Sequence, residues 1–274
     1  MIPRLDHREP VSETVQHYVR ELHALGFEGE IHCDDATRTV LSTDNSIYQV
    51  YPQVVVFPKD HEDLCSIVRA AHDHEVTLYP RGGGTGTNAQ SLGAGVVVDT
   101  SKHMNRILEI NVEERWARVQ CGAVKDHLNA EIRQHGLFFA PDLSTSNRAT
   151  IGGMINTDAS GQGSVRYGKT RDHVLNLKAV LLTGETLETS VMSDDELDQL
   201  SRSSPEYRLG HALRDLHDTN QQAIDDSFPK LNRCLTGYDL KHVRTDDGKI
   251  DLNAVLCGSE GTLALISEAR INLE

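Results

Sequence analysis

The chain has 274 residues, a formal net charge of −14 and 38% apolar residues, which is enough for one large domain or two modest ones with an ample core. The acidic balance, without any basic run, argues against a nucleic-acid surface, because phosphate neutralisation needs clustered lysines and arginines. No apolar stretch is long enough to span a bilayer, and the first seven residues lack the apolar segment of a secretory signal peptide.

The cysteines and histidines do not form a metal or disulfide pattern. The five cysteines contain no C-x-x-C pair and are odd in number, which predicts reduced thiols in a cytoplasmic protein rather than a disulfide frame, an iron–sulfur site or a zinc site. The 14 histidines are scattered and no H-E-x-x-H occurs. We therefore expect no metal to be bound by this chain.

The first part of the chain predicts a helix followed by a parallel β-α-β unit. Apolar residues recur at helical spacing over residues 11–25, whereas residues 32–48 are polar and turn-rich. The runs Val54–Phe57 and Val76–Tyr79 predict buried strands, and Asp60 is placed to cap the helix between them. A unit of this length is expected to be parallel and right-handed.

A glycine-rich loop, Arg81-Gly82-Gly83-Gly84-Thr85-Gly86-Thr87-Asn88, follows the second of these strands. Its glycines let backbone N–H groups approach a ligand closely, typically a phosphate. The loop lacks the Gly-Lys-Ser/Thr ending of a P-loop, and Thr87 stands where a Rossmann fingerprint requires glycine or alanine. Alone, it is equally compatible with an anion site and with a plain flexible loop, but the carboxyl end of a parallel strand favours a ligand.

The pattern changes from parallel to antiparallel after Gly95–Asp99, a third buried strand. Ile107–Ile110 and Trp116–Gln120 alternate about a turn and predict an antiparallel hairpin, and Val174–Thr183 predicts a further strand. Residues 190–227 predict an acidic, helical insertion exposed to solvent, to which we assign no chemistry.

The predicted fold class is α+β, with a small parallel β-α-β subdomain followed by a larger, mainly antiparallel sheet flanked by helices. We expect an N-terminal helix and lead-in over residues 1–48, a first subdomain over 49–108, and a second subdomain over 109–274 with its insertion near 190–230.

A second run of small residues extends from Pro141 to Ser164. Thr150 can cap a helix that begins Ile151-Gly152-Gly153, which would leave free N–H groups at its tip for a phosphate or a flavin carbonyl. A glycine-rich turn beside a helix-packing contact is the alternative. Since one site accounts for both small-residue loops, we expect them to be two walls of one ligand site.

The combination of motifs resembles the FAD-binding domains of the vanillyl-alcohol oxidase/p-cresol methylhydroxylase superfamily. The resemblance covers roughly residues 40–272. Its motifs are Pro80-Arg81-Gly82-Gly83-Gly84-Thr85, Ile151-Gly152-Gly153-Met154-Ile155, Tyr167-Gly168 and Gly258-Ser259-Glu260-Gly261-Thr262. Within the superfamily the chain looks most like the FAD-linked D-2-hydroxyacid dehydrogenases, and the stretches 42–48, 156–163 and 232–240 resemble the large bacterial D-2-hydroxyglutarate-dehydrogenase-like branch.

The resemblance implies non-covalent FAD, because Thr85 stands near the place where some relatives attach the cofactor through a histidine. The implied cofactor-binding residues are Pro80, Arg81, Gly82, Gly83, Gly84, Thr85, Gly86, Thr87 and Asn88 around the pyrophosphate, Pro141, Ser144, Thr150, Gly152, Gly153, Asn156, Ala159 and Gly161 along the flavin and ribityl chain, and Glu260, Gly261 and Ile266 near the ribose or adenine.

The implied reaction of the longer parent is the oxidation of a D-2-hydroxy acid, of the D-2-hydroxyglutarate or D-lactate type, to the 2-oxo acid. The catalytic residues, the substrate domain and an iron–sulfur cluster are implied only beyond residue 274, so this chain alone is expected to be inactive and to hold FAD weakly. Lys169 and Arg148 lie where a cation could stabilise reduced flavin, although a plain surface charge explains either equally well.

Two rival readings stay open. One is an enzyme resembling UDP-N-acetylenolpyruvoylglucosamine reductase, whose serine-bearing catalytic segment is not evident here, and the other is a non-catalytic FAD or electron-transfer module. The expected partners are FAD and a small 2-hydroxy acid, with no nucleic acid and an unassigned electron acceptor. The expected location is cytoplasmic, and any membrane association would come through the electron acceptor.

Overall fold

Two β-sheets organise the chain, of which the computed structural model describes residues 10–229, 231 and 237–274. The first sheet has the order β1-β2-β4-β3 and contains β1 Glu30–His32, β2 Val54–Phe57, β3 Leu78–Arg81 and β4 Val96–Asp99. Strands β2 and β3 each pair in parallel with β4, whereas β1 joins β2 as an antiparallel edge strand. Every residue of β2 and β4 is buried, which accounts for their runs of valine.

The second sheet is antiparallel throughout and has the order β5-β6-β11-β7-β8. Its strands are β5 Ile107–Asn111, β6 Trp116–Gln120, β7 Val174–Leu181, β8 Thr186–Glu188 and β11 Ala264–Asn272. A separate two-stranded ribbon pairs β9 Val191–Met192 with β10 Ile250–Asp251.

Helices cover the sheets and connect them. The α-helices are α1 Glu13–Ala24, α2 Asp35–Val40, α3 His61–Asp73, α4 Lys125–Ile132, α5 Ile151–Asn156, α6 Ser164–Tyr167, α7 Asp194–Gln199 and α8 Pro205–Ser227. Short 3₁₀ turns span Arg133–His135, Thr170–His173 and Lys241–Val243. Among the described residues, no helix is long and apolar enough to cross a membrane.

The predicted α+β class, with a parallel part followed by a mainly antiparallel sheet, is confirmed. The helix predicted over residues 11–25 is α1, and Asp60 caps α3 by accepting a hydrogen bond from the Asp63 N–H at 3.0 Å. The antiparallel hairpin predicted from Ile107–Ile110 and Trp116–Gln120 is formed by β5 and β6. The subdomain boundaries remain a prediction.

The structure also corrects the sequence reading of the first sheet. Residues 32–48 were expected to be polar and turn-rich, and the structure adds α2 within them, capped by Asp34, which accepts from the Thr37 N–H at 2.9 Å. Strand β4 lies between β2 and β3, so the β-α-β unit passes over one strand. The part of the 232–240 stretch from residue 232 to 236, with Cys234, lies outside the described residues.

The acidic insertion has a small core of its own. Met192, Leu197, Ile250 and Leu252 are buried together, so β9, α7 and β10 pack against one another, while α8 is largely exposed. Arg244 clamps this region, because its guanidinium contacts the carboxylates of Asp194 at 3.0 Å and Asp218 at 2.8 Å.

A buried histidine ties the two sheets together. The His61 ring on α3 contacts Ser267 Oγ on β11 through Nδ1 at 2.9 Å and Thr186 Oγ1 on β8 through Nε2 at 2.7 Å. Since Ser267 donates its own proton to the Lys178 carbonyl at 3.0 Å, Nδ1 of His61 must carry the hydrogen. Burial lowers the pKa of His61, which keeps the ring neutral. Helix α3, which connects β2 and β3, is thereby attached to β8 and β11 of the second sheet.

Candidate cofactor site

A cavity of about 270 Å³ lies where the ends of the two sheets meet. It receives residues from the loop after β3, from the ends of β4 and β6, from α5, and from the turn before β11. Its lining comprises Pro80, Arg81, Gly82, Gly83, Gly84, Thr85, Gly86, Thr87, Gln90, Ser91, Thr100, Cys121, Leu143, Thr145, Ala149, Thr150, Gly152, Gly153, Met154, Asn156, Thr157, Ala159, Glu260, Leu265 and Ile266. The two small-residue loops that the sequence singled out are thus two walls of one cavity.

The glycine loop, Gly82–Thr87, lines this cavity with backbone that keeps its donors unpaired. Within the described residues, none of its backbone N–H groups donates a hydrogen bond. Gly84 has φ 60°, a left-handed conformation that glycine adopts without strain. A Cβ at Gly83 would collide with the carbonyl oxygen of Arg148, so glycine lets the loop lie directly on the segment before α5. Successive unpaired N–H groups in a turn form a concave anion-binding surface.

The Arg81 side chain supports the loop from beneath. Its Nη2 donates to the Thr43 carbonyl at 2.8 Å, its Nη1 donates to Ser91 Oγ at 3.4 Å, and its Nε lies 3.8 Å from Asp99 Oδ2. The N–H of Asn45 donates to the Gly84 carbonyl at 3.0 Å, which fastens the neighbouring turn to the same loop. Burial raises the pKa of Asp99, and it lowers that of Arg81. The guanidinium therefore shapes the loop as well as adding positive charge beneath it.

The N-terminus of α5 differs from the prediction. Thr150 is its N-cap, as predicted, but the expectation of free N–H groups at its tip is wrong. Neighbouring strand ends approach close enough to use these donors, which a single sequence does not reveal. The partners are Ala123 O for Ile151 N–H (2.8 Å), Cys121 O for Gly152 N–H (2.7 Å) and Thr150 Oγ1 for Gly153 N–H (3.3 Å).

The turn before β11 closes the cavity on the far side of α5. The Glu260 N–H donates to the Asn156 carbonyl at 2.8 Å, and the Gly258 N–H donates to the Ile155 carbonyl at 2.9 Å. The side-chain Oδ1 of Asn156 and the Oγ of Ser259 are buried and have no hydrogen-bond partner among the described residues. Because Asn156 lines the cavity, its unpaired oxygen is a group that a bound ligand can satisfy.

Some predicted site residues do not line the cavity: Asn88, Pro141, Ser144, Gly161 and Gly261. Two of them provide close packing instead. A Cβ at Gly161 would collide with the carbonyl oxygen of Asp142, and one at Gly261 would collide with the ring of Pro80. The other predicted residues all lie on the lining.

Several residues of the lining were not predicted from the sequence: Gln90, Ser91, Thr100, Cys121, Leu143, Thr145, Ala149, Met154, Thr157 and Leu265. Two of these had a usable signal, because Thr100 and Cys121 directly follow β4 and β6, and ligands gather at the ends of strands. Burial raises the pKa of the Cys121 thiol to about 12, so this cysteine is an inert wall rather than a nucleophile.

The two cations considered for flavin stabilisation lie elsewhere. Lys169 is only 2% exposed and forms an ion pair with the buried Asp158, so it is not a surface charge, and it does not line the cavity. Arg148 is exposed and borders a second cavity of about 480 Å³ that shares Gly83 and Thr150 with the first. In the described part of the chain, no group of His, Cys, Asp or Glu side chains is arranged to hold a metal ion.

A sequence profile of the FAD binding domain family matches residues 52–190, half of the chain, and the chain belongs to this family. D-2-hydroxyglutarate dehydrogenases of Pseudomonas putida and Escherichia coli are 55% and 50% identical to it over 100% of its length. The chain spans 27% of the length of these relatives. The resemblance to the FAD domains of the large bacterial D-2-hydroxyglutarate-dehydrogenase-like proteins is thereby confirmed.

Solved structures agree on the fold. Alkyldihydroxyacetonephosphate synthase matches with a TM-score of 0.69 at 22% identity, over 98% of this chain and 45% of that one. The 6-hydroxy-D-nicotine oxidase of Arthrobacter nicotinovorans matches with a TM-score of 0.62 at 18% identity, over 91% of this chain and 43% of that one. At these identities the likeness shows the architecture alone.

Proposed function

We propose that the cavity between the two sheets binds FAD without a covalent bond, with the pyrophosphate against the N–H groups of the glycine loop. The observation that carries this proposal is the row of backbone donors from Gly82 to Thr87 that lack partners in the described structure. An anion at this position would satisfy these donors, and the Arg81 guanidinium beneath the loop adds favourable charge.

The rest of the lining fits the same cofactor. Thr150, Gly152, Gly153, Asn156 and Ala159 form the wall proposed for the flavin and ribityl chain, where Asn156 Oδ1 can accept a hydrogen bond from the ligand. Glu260 and Ile266 form the wall proposed for the ribose or adenine. Asn88, Pro141, Ser144, Gly161 and Gly261 are assigned to the layer behind the lining rather than to direct contact.

We further propose that a longer protein containing this domain oxidises a D-2-hydroxy acid, D-2-hydroxyglutarate above all, to the 2-oxo acid. The support is the 50–55% identity to D-2-hydroxyglutarate dehydrogenases. FAD held by the glycine loop and the α5 wall would supply the hydride-accepting chemistry of this oxidation. The residues of this chain bind and orient the cofactor and keep water from its buried side, whereas the base, the substrate pocket and an iron–sulfur cluster are assigned to the remaining length of that longer protein. A cytoplasmic location stays a prediction.

Titration of the purified chain with FAD, followed by flavin fluorescence and by hydrogen exchange, tests the binding proposal. FAD should slow amide exchange at Gly82–Thr87, while the amides of Gly152 and Gly153, which already have partners, should change little. Absence of FAD binding by the folded chain would overturn the proposal.

The activity is tested separately with a full-length relative that contains this domain. We expect D-2-hydroxyglutarate to bleach its flavin spectrum, whereas the isolated chain loaded with FAD should not respond. Reduction by NADPH but not by 2-hydroxy acids would instead favour the reductase-like alternative.

A further inference from the structure

A buried ion pair lies directly behind the wall of the cofactor cavity. Lys169 and Asp158 have side chains that are 2% and 5% exposed, and their charged groups are in hydrogen-bond contact. Asp158 stands between Thr157 and Ala159, both of which line the cavity. Neither member of the pair lines the cavity itself.

The backbone at Asp158 is unusual. Its φ is 42°, in the left-handed region that L-residues other than asparagine and aspartate rarely occupy. This turn ends α5: the Asp158 N–H donates to the Ile155 carbonyl at 3.0 Å, and the Ala159 N–H donates to the Met154 carbonyl at 2.8 Å. The position of the cavity wall therefore depends on a conformation that needs support from elsewhere.

That support comes from the segment that begins at Lys169. Besides the ion pair, the Arg171 N–H donates to Asp158 Oδ1 at 3.1 Å, and the Thr170 N–H donates to the Ala159 carbonyl at 3.0 Å. The Arg171 side chain in turn bonds Asp239. The Asp158 carboxylate thus accepts from both a side chain and the backbone of one neighbouring segment.

We propose that Asp158 and Lys169 are positioning residues for the cofactor, which fix the left-handed turn between Thr157 and Ala159 and so set the wall against which FAD binds. This inference rests on the proposed function. A pair that only stabilised the fold would not need to be attached at a left-handed residue between two residues that line the cavity.

Neutral variants separate positioning from plain stability. Asp158→Asn keeps a residue that tolerates the left-handed turn, and Lys169→Met keeps the length of the side chain. Each removes the ion pair while the charge of the other residue stays buried. Each single variant should therefore lower Tm by about 10 °C. The double variant D158N/K169M removes both charges of the ion pair, so its Tm should return close to that of the wild type.

FAD affinity and local exchange are the deciding measurements. In D158N/K169M we expect a dissociation constant for FAD that is raised about tenfold, and faster exchange of the Asp158 and Ala159 amides in the FAD-free protein, although Tm has recovered. A double variant that binds FAD as tightly as the wild type, with unchanged exchange at these amides, would overturn the inference.

Two comparisons keep the outcomes distinct. Arg244→Met removes the clamp of the acidic insertion, away from the cavity, and should lower Tm without changing the FAD dissociation constant at temperatures where the protein is folded. If the wild-type chain itself does not bind FAD, the proposed function fails. If the wild type binds and the double variant binds equally well, only the positioning role fails.

Discussion

The glycine loop, Gly82–Thr87, and the first turn of α5, Ile151–Gly153, face the same cavity and are both rich in glycine, yet their N–H groups are used differently. Those of the loop have no partner in the described structure, whereas those of α5 bond Ala123 O, Cys121 O and Thr150 Oγ1. Both places use glycine for close approach, since a Cβ at Gly83 would strike the Arg148 carbonyl and one at Gly152 would lie 2.6 Å from Cys121 Cβ.

The difference shows that missing Cβ atoms alone do not identify a ligand site. In α5 the glycine allows close packing against the segment at Cys121, and the N–H donors bond other protein atoms. In the loop the glycines bring the two walls together while the donors stay available. Whether the N–H groups have hydrogen-bond partners within the protein therefore distinguishes a cofactor-binding loop from a packing contact.

Alanine at Gly83 should have the largest effect. Its Cβ would collide with a backbone oxygen, which cannot swing aside, so the loop must move away from α5. We expect the FAD dissociation constant to rise about 100-fold, or about 2.7 kcal/mol. Gly153→Ala should change it less than tenfold, because that Cβ would lie 3.1 Å from Thr150 Oγ1 and alanine favours a helix. Fluorescence titration measures both.

Gly136→Ala is the control for Gly83→Ala. Gly136 has φ 71° and open space around it, so alanine there strains the backbone by about 1 kcal/mol without touching the cavity. Its FAD affinity should match that of the wild type. If the wild type and Gly83→Ala bound FAD with equal affinity, the proposed difference between the cofactor-binding loop and the packed first turn of α5 would be wrong.

Arg81→Met should have the second-largest effect on FAD binding, because it removes the side chain that supports the loop but leaves the glycines in place. Loss of the bond to the Thr43 carbonyl should lower the free energy of unfolding by about 1.5–3 kcal/mol and weaken FAD binding about tenfold. The pKa of Asp99 is already raised by burial, and removing its cationic neighbour raises this pKa further.

A carboxyl group with a raised pKa in the folded state destabilises the fold as pH rises through the folded pKa, because the unfolded chain ionises first. The loss of unfolding free energy in Arg81→Met, relative to the wild type, should therefore be larger at pH 8 than at pH 5 in urea unfolding experiments. Arg81→Lys keeps the charge and should flatten this pH dependence while still losing the bonds to Thr43 and Ser91. A deficit that is independent of pH for Arg81→Met would mean that Asp99 is not coupled to the loop.

The sequence predicted those parts of the site that depend on local chemistry. The glycine loop, the Thr150 cap and the strands of valine follow from backbone freedom, side-chain capping and burial, all of which are encoded within a few residues. Motif order along the chain then indicated the family, which the profile over residues 52–190 confirms.

Long-range contacts account for what the sequence did not predict. Two of the three donors of α5, the N–H groups of Ile151 and Gly152, are paired by carbonyls some thirty residues earlier, at Ala123 and Cys121. Lys169 is buried because Asp158, in a left-handed turn, lies across from it. Neither the pairing of these N–H groups nor the burial of Lys169 can be predicted from neighbouring residues. The same local sequence is compatible with a helix N-terminus whose N–H groups are free and with one whose N–H groups are paired.

The reactivity of the Cys121 thiol tests the difference between the glycine loop and α5 in the wild-type chain, without any substitution. The Cys121 carbonyl accepts from the Gly152 N–H, and burial raises the pKa of its thiol to about 12. If the α5 N-terminus instead pointed free donors into an open cavity, the helix end would lower that pKa and expose the thiol to reagents.

We therefore expect iodoacetamide at pH 8 to label the exposed Cys33 and leave Cys121 almost unlabelled, both with and without FAD. Peptide mass spectrometry measures each site separately, and Cys33 provides the positive control within the same sample. Rapid labelling of Cys121 in the FAD-free chain, suppressed by FAD, would mean that the first turn of α5 opens to the cavity. In that case its donors would be available to the cofactor, and the contrast with the glycine loop would no longer hold.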